Sequence, residues 1–237
     1  MEDFTCQALE RFANQVLRNW RRNEGTCKEC PLRDPGLYYS PTAGRNNWDS
    51  KIAVVGLSPG EARPSLLGSN DQGMICPTEE VLKDWDWNPR WPATKALKAM
   101  VTGTGWQIAD LYFTNLCKCP FIGGGMASDH RNQLGAQQCA GYLPSELRIL
   151  APRLVVTFGL DATRTLAQTG YHLPLDHGIS RIHGLLTKHV EMESWLLPFR
   201  HWSKGHIDFR SATAEPREYP ASVNFHFKRA LRVSRMK

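Results

Sequence analysis

No stretch of the 237 residues approaches the roughly 18 consecutive apolar positions that a membrane-spanning helix needs. The first residues, Met1-Glu2-Asp3-Phe4, are acidic and carry no apolar leader region, so a cytoplasmic or nucleoid-bound protein is expected. No internal repeat or low-complexity tract breaks the chain. Its length suits a single α/β domain, with or without insertions. Cysteine is odd in number: Cys6, Cys27, Cys30, Cys76, Cys117, Cys119 and Cys139. Without a secretion signal, a disulfide framework is not expected, and the clustering of the cysteines argues for a metal.

The charge is mildly basic, with 29 Lys and Arg against 23 Asp and Glu for a net +6. The excess is concentrated at the end. From His201 to Lys237 there are eight basic residues and three acidic ones, a net +5. A local basic surface suits a phosphate backbone; the competing reading is a solvated terminal helix.

Residues 4–20 carry Phe12, Val16 and Trp20 at spacing four, with Leu9 and Leu17 on the same broad face, and so predict an amphipathic helix. Residues 23–50 read as an irregular loop bearing Cys27 and Cys30. Three β-branched or apolar runs, 51–56, 111–116 and 154–158, read as buried parallel strands, and 195–198 as a shorter fourth. Asp161 is placed to cap a helix over 162–167. Strands alternating with helices predict an α/β fold: a three-layer α/β/α sandwich around a mostly parallel sheet of about four strands. Ligands of such sheets bind beyond the carboxyl ends of the strands, so the loops after Val55, Leu116 and Leu197 are the places to search. The expected organisation is one domain over 1–237, with a Trp-rich insertion at about 69–92 and a basic C-terminal extension at about 204–237.

Cys27 and Cys30, two residues apart, form a compact chelating pair. Cys119 and Cys139 make a looser second pair, with Cys117 competing for the place of Cys119. Four thiolates hold either zinc or a 4Fe–4S cluster, and spacing alone does not choose. The alternative is that Cys119 and Cys139 are small buried hydrophobes. Cys6 and Cys76 have no partner at suggestive spacing and read as ordinary residues.

Three loops follow the strands: Gly56-Leu57-Ser58-Pro59-Gly60-Glu61, Tyr112-Phe113-Thr114-Asn115-Leu116-Cys117-Lys118-Cys119, and Leu197-Pro198-Phe199-Arg200-His201-Trp202-Ser203. In this order they resemble the motifs of the uracil-DNA glycosylase superfamily, and of its iron–sulphur branch in particular. The segment from Tyr142 to Leu166 is similar to that family's long helix and third strand. The resemblance runs from about Cys27 to Ser203 and implies a monofunctional enzyme that flips a base out of DNA and hydrolyses its N-glycosidic bond. It implies a structural 4Fe–4S cluster on Cys27, Cys30, Cys119 and Cys139, with zinc as the lesser candidate. Asn115 matches the reader of the flipped base's polar edge. His201 matches the histidine beside the base O2 oxygen. The turn with Gly56, Leu57, Ser58 and Glu61 matches the loop near the sugar C1′ and the attacking water.

Three departures stand out. Leu57 and Ser58 occupy positions where relatives often carry a carboxylate or amide to orient water; Ser58 hydrogen-bonds water but is a poor base, and Glu61 serves only if the turn aims it inward. Arg63-Pro64-Ser65-Leu66 offers no ring where relatives stack one on uracil. Either Trp85, Trp87 or Trp91 supplies it, or the pocket beside Leu66 is wider and takes a modified pyrimidine, which would suit defence against phages with altered DNA. Those tryptophans read equally well as core. Trp202 stands in place of a proline, so Arg200, Trp202, Ser203 and Lys204 are the expected DNA contacts. The expected partner is DNA, with no membrane, and the expected state is monomeric. The rival readings are a non-catalytic DNA-binding module on the same fold and a zinc-ribbon binder without a base pocket.

Overall fold

Every residue of Ile52–Gly56 and of Leu154–Phe158 is buried, which requires strands covered on both faces. The computed structural model describes residues 2–33, 47–58, 92–124, 129–201 and 218–236. In chain order these form α1 (Glu2–Arg22), β1 (Ile52–Gly56), α2 (Pro92–Val101), β2 (Tyr112–Asn115), α3 (His130–Cys139), α4 (Tyr142–Leu150), β3 (Leu154–Phe158), α5 (Leu160–Ala167), the helical turn α6 (Ile179–Ile182), β4 (Thr187–Lys188), β5 (Trp195–Phe199) and α7 (Tyr219–Val233).

The sheet has five strands in the order β2-β1-β3-β5-β4. All pairings are parallel except that of the short edge strand β4 with β5. The four strands expected are present; the fifth is a two-residue addition with too little length to show a period. It pairs only with Trp195 and Leu196, so Pro198 sits where no strand flanks β5 on that side, as proline requires.

Alternation along the strands sends side chains into two layers. On one side Ile52, Val54, Leu154, Val156 and Leu197 pack with Leu97 and Met100 of α2 and Val223 and Phe227 of α7. On the other, Ala53, Val55, Tyr112, Val155 and Leu196 meet Leu9 of α1, Leu143, Leu147 and Leu150 of α4, and Ala162 and Leu166 of α5. This is the α/β/α sandwich. α7 carries part of the C-terminal basic excess, yet its inner face is core. α5 starts two residues earlier than expected. Gly159 occupies the N-cap and Asp161 lies in the first turn, where its charge complements the helix dipole. Among the described residues no helix is long and apolar enough to cross a membrane.

A third cluster lies beyond β2, where Cys27, Cys30, Cys117, Cys119 and Cys139 are buried with Val16, Leu17, Leu32, Phe121 and Tyr142. Two devices assemble it. Gly135 lies inside α3, where glycine weakens a helix, but a Cβ there would sit 2.3 Å from Leu32 Cδ1. Its absence lets the Cys27–Cys30 loop press onto the helix bearing Cys139. Asn132 Oδ1 accepts the Ile122 N–H at 2.9 Å and its Nδ2 donates to the Ile122 carbonyl at 2.8 Å, tying the loop after Cys119 to the same helix.

Candidate active site at the carboxyl edge of the sheet

In the strand order, β1 and β3 are the neighbours from which the chain winds in opposite directions, so the crevice at their carboxyl ends is the topological switch point. Both strands end in glycine, Gly56 on β1 and Gly159 just after β3. Asn115 ends β2 and is paired in register with Gly56. His201 follows β5 by two residues. Across the edge the order is therefore Asn115, Gly56, Gly159, His201. Three strand spacings separate the outer two, roughly 14 Å at the backbone.

The outer side chains lean inward over the glycines. A Cβ on Gly56 would lie 2.5 Å from Asn115 Oδ1, and one on Gly159 would lie 3.8 Å from His201 Cδ2. Gly159 also has φ +104, a conformation costly for any other residue. Ser58 and Leu57 continue the turn from Gly56 and are half-buried. The turn is stitched to the β2 loop, since Leu116 N–H donates to the Gly56 carbonyl at 3.0 Å and Cys117 N–H to the Leu57 carbonyl at 2.9 Å. Leu57 packs against both the sheet core and the cysteine cluster. Asn115, His201 and Arg200 are each half-buried. The structure thus gathers Gly56, Leu57, Ser58, Asn115, Arg200 and His201 at one edge. Glu61, Leu66, Trp85, Trp87, Trp91, Trp202, Ser203 and Lys204 lie outside the described residues.

The segment bearing His201 is clamped. Arg200 N–H donates to His183 Nδ1 at 3.1 Å, and the Tyr219 hydroxyl donates to the Arg200 carbonyl. Burial pushes the His183 imidazole down to about 3, with His226 and Arg200 adding to the shift. Burial likewise pulls the Arg200 guanidinium below its usual range.

Beneath Asn115 lies a buried polar network. Lys118 Nζ donates to Glu146 Oε2 at 2.6 Å, Thr114 Oγ1 at 2.6 Å and the Asn115 carbonyl at 2.9 Å. Glu146 accepts the Tyr112 hydroxyl at 2.5 Å and the Thr114 hydroxyl at 3.0 Å. Lys118 and Glu146 are 2% and 0% exposed, burial that demands a complete set of partners. Neither residue stands out as functional in the sequence. The available signal was Glu146, three residues after Leu143 and four before Leu150, and so on the buried stripe of a helix.

The thiols surround one another. Burial raises Cys27, Cys30 and Cys119 above the ordinary thiol value, and the nearby Cys139 adds to each shift. Cys117 and Cys139 sulphurs are 3.9 Å apart, with Cys117 donating. That contact raises Cys117 and lowers Cys139, which the Lys118 N–H and charge lower further. Among the described residues no three His, Cys, Asp or Glu side chains are grouped as a single-ion metal site. Cys6 lies apart and is disulfide-bonded, unlike the ordinary residue expected.

No curated protein matches the chain. The family model of the uracil DNA glycosylase superfamily matches residues 43–204. That span covers Ser58, Asn115, Cys119, Cys139 and His201 and begins after Cys27 and Cys30. With most of its length matched and the sheet described above, the chain belongs to the uracil DNA glycosylase superfamily.

Proposed function

We propose that this protein is a monofunctional DNA glycosylase that takes a uracil or a modified pyrimidine out of the base stack and hydrolyses its N-glycosidic bond, leaving an abasic site. The observation that carries the reading is the inward lean of Asn115 and His201 over two glycines at the switch point of the sheet. Asn115 and His201 flank two positions of the edge, Gly56 and Gly159, that carry no side chains, and in this reading the flat ring of the base lies there. Only an extrahelical base reaches such a place.

Asn115 has an amide donor and a carbonyl acceptor, and both suit a pyrimidine edge. As the glycosidic bond breaks, its electron pair leaves with the base while the sugar becomes oxocarbenium-like. A donor from His201 at the base O2 then meets charge that exists only in the transition state. Water adds to C1′ and loses a proton. Ser58 orients that water by hydrogen bonding, and Glu61 is the remaining acceptor in the turn. Arg200, Trp202, Ser203 and Lys204 meet the duplex.

The donor set fits a 4Fe–4S cluster. Cys27, Cys30, Cys119 and Cys139 are buried together in apolar surroundings. In this reading the chain is a member of the iron–sulphur branch, and the cluster's role is to hold the loops that present Asn115 to DNA. A second reading, a non-catalytic DNA-binding module, is favoured by the lack of a carboxylate at Leu57 and Ser58. A specialised form of the enzymatic reading, excision of modified phage bases, rests on Arg63-Pro64-Ser65-Leu66 offering no ring where relatives stack one on uracil.

The test is a panel of oligonucleotides carrying uracil or modified cytosines, single- and double-stranded, scored for abasic sites. Cleavage of at least one base by the native protein is expected. DNA binding without any abasic product would overturn the enzymatic reading. Activity confined to uracil would reject the wide pocket.

A further inference from the structure

We infer that Lys118 and Glu146 are a positioning pair that sets the aim of Asn115 from beneath, a role that rests on the proposed base-reading function of Asn115. The ammonium of Lys118 has three N–H donors and three acceptors, on Glu146, Thr114 and the Asn115 carbonyl. The Glu146 carboxylate is filled by Tyr112, Thr114 and Lys118. Three of the four residues of β2 therefore hang on one ion pair. The chain neighbours of Lys118 are Cys117 and Cys119, both buried in the cysteine cluster.

Stability does not explain this arrangement. Desolvating two charges is costly, and an apolar pair of similar volume often serves the fold as well or better. What an apolar pair does not supply is a fixed direction for the Asn115 carbonyl, and through it for the side chain that leans over Gly56. An error of about 1 Å at such a group lowers rate by about 10²-fold.

The test uses Lys118→Met with Glu146→Leu, which removes both charges and leaves neither unpaired but takes the acceptor from the Tyr112 and Thr114 hydroxyls, beside Glu146→Gln, which keeps an acceptor for them, as the minimal change. Visible absorbance of anaerobically purified protein reports the cluster, and kcat/KM on the preferred base reports the site. The expected result is intact absorbance with kcat/KM lowered about 10- to 100-fold. In an Asn115→Ala background the same changes should cost nothing more, because the pair acts through Asn115. Wild-type kcat/KM in the double variant, losses that multiply with Asn115→Ala, or bleached absorbance would each overturn the inference. If the native protein excises no base, the functional reading fails on its own. Hydrogen exchange then decides the positioning role. The amides of Leu116 and Cys117 should exchange faster in the double variant while β3 is unchanged, and unaltered exchange at those amides would overturn it.

Discussion

His183 Nδ1 accepts the backbone N–H of Arg200 at 3.1 Å, one residue before His201. That bond fixes the tautomer: Nδ1 is bare, so Nε2 carries the proton and donates to Ser222 Oγ at 3.1 Å. With the Tyr219 hydroxyl on the Arg200 carbonyl, both backbone groups of Arg200 are held by side chains from other elements, and His201 is mounted on a rigid support.

The first prediction follows from that neutral ring. Its folded-state value of about 3 lies below the ordinary 6.5 or so of histidine. Between those values the unfolded chain binds a proton that the folded protein does not, so stability rises with pH across the window. The contribution is complete above the ordinary value and is lost as pH falls toward 3. Protonation would also put a hydrogen on Nδ1 and break the Arg200 contact. Thermal midpoints measured from pH 7 to 4 should fall with pH, and His183→Asn, which keeps an acceptor but does not titrate, should flatten the slope. An unchanged slope in that variant would show that another group governs it.

Gly56→Ala is predicted to disable the site without unfolding the protein. No positive φ is required at this position, so the substitution carries no backbone strain. The difficulty is purely the 2.5 Å approach to Asn115 Oδ1, which forces that side chain away. Activity should fall by about 10²-fold while the melting temperature stays within a few degrees, as gains from a stiffer unfolded chain offset the local crowding. Full activity in Gly56→Ala would mean that Asn115 tolerates a different rotamer.

Much of this arrangement was legible in the residue pattern, and the remainder shows what such patterns omit. The runs at Ile52, Tyr112, Leu154 and Trp195 are apolar enough to mark buried strands, and the loops that follow them carry Asn115, Ser58 and His201. β4 was not legible, since two residues have no periodicity. Lys118 and Glu146 are charged, and charge is read as surface unless a partner distant in sequence is known. Their pairing depends on α4 crossing behind β2. His183 and Tyr219 were equally silent, because each acts on the backbone of Arg200 and no residue type advertises a bond to a main-chain group. The core face of α7 was masked by the basic residues on its outer side.

Cys119 and Cys117 should separate cleanly on substitution. Cys27, Cys30 and Cys139 all add to the upward shift of the Cys119 thiol, whereas the thiols that shift Cys117 are Cys139, to which it donates its S–H, and Cys119. In the cluster reading Cys119 is a ligand and Cys117 a neighbour that hydrogen-bonds a ligand sulphur. Cys119→Ser should lose most of its iron and visible absorbance, while Cys117→Ser should keep its iron and show only a shifted band. The reverse result would exchange their roles. Zinc with no iron, found by elemental analysis of anaerobically purified protein, would replace the cluster with a structural ion.

His201→Ala should act on the transition state and hardly on binding. Removing one donor aimed at a developing oxyanion lowers rate by about 10²–10³-fold. The loss should fall on kcat with KM little changed, because the neutral base in the ground state gains little from the donor. The size of the loss depends on the leaving base. A uracil with an electron-withdrawing 5-substituent departs as a more stable anion and needs less help at O2. His201→Ala should therefore cost less on that substrate than on uracil, and the ratio of the two losses measures the charge that His201 meets. Equal losses on both would place His201 outside the path of the departing charge, as a residue that only shapes the pocket.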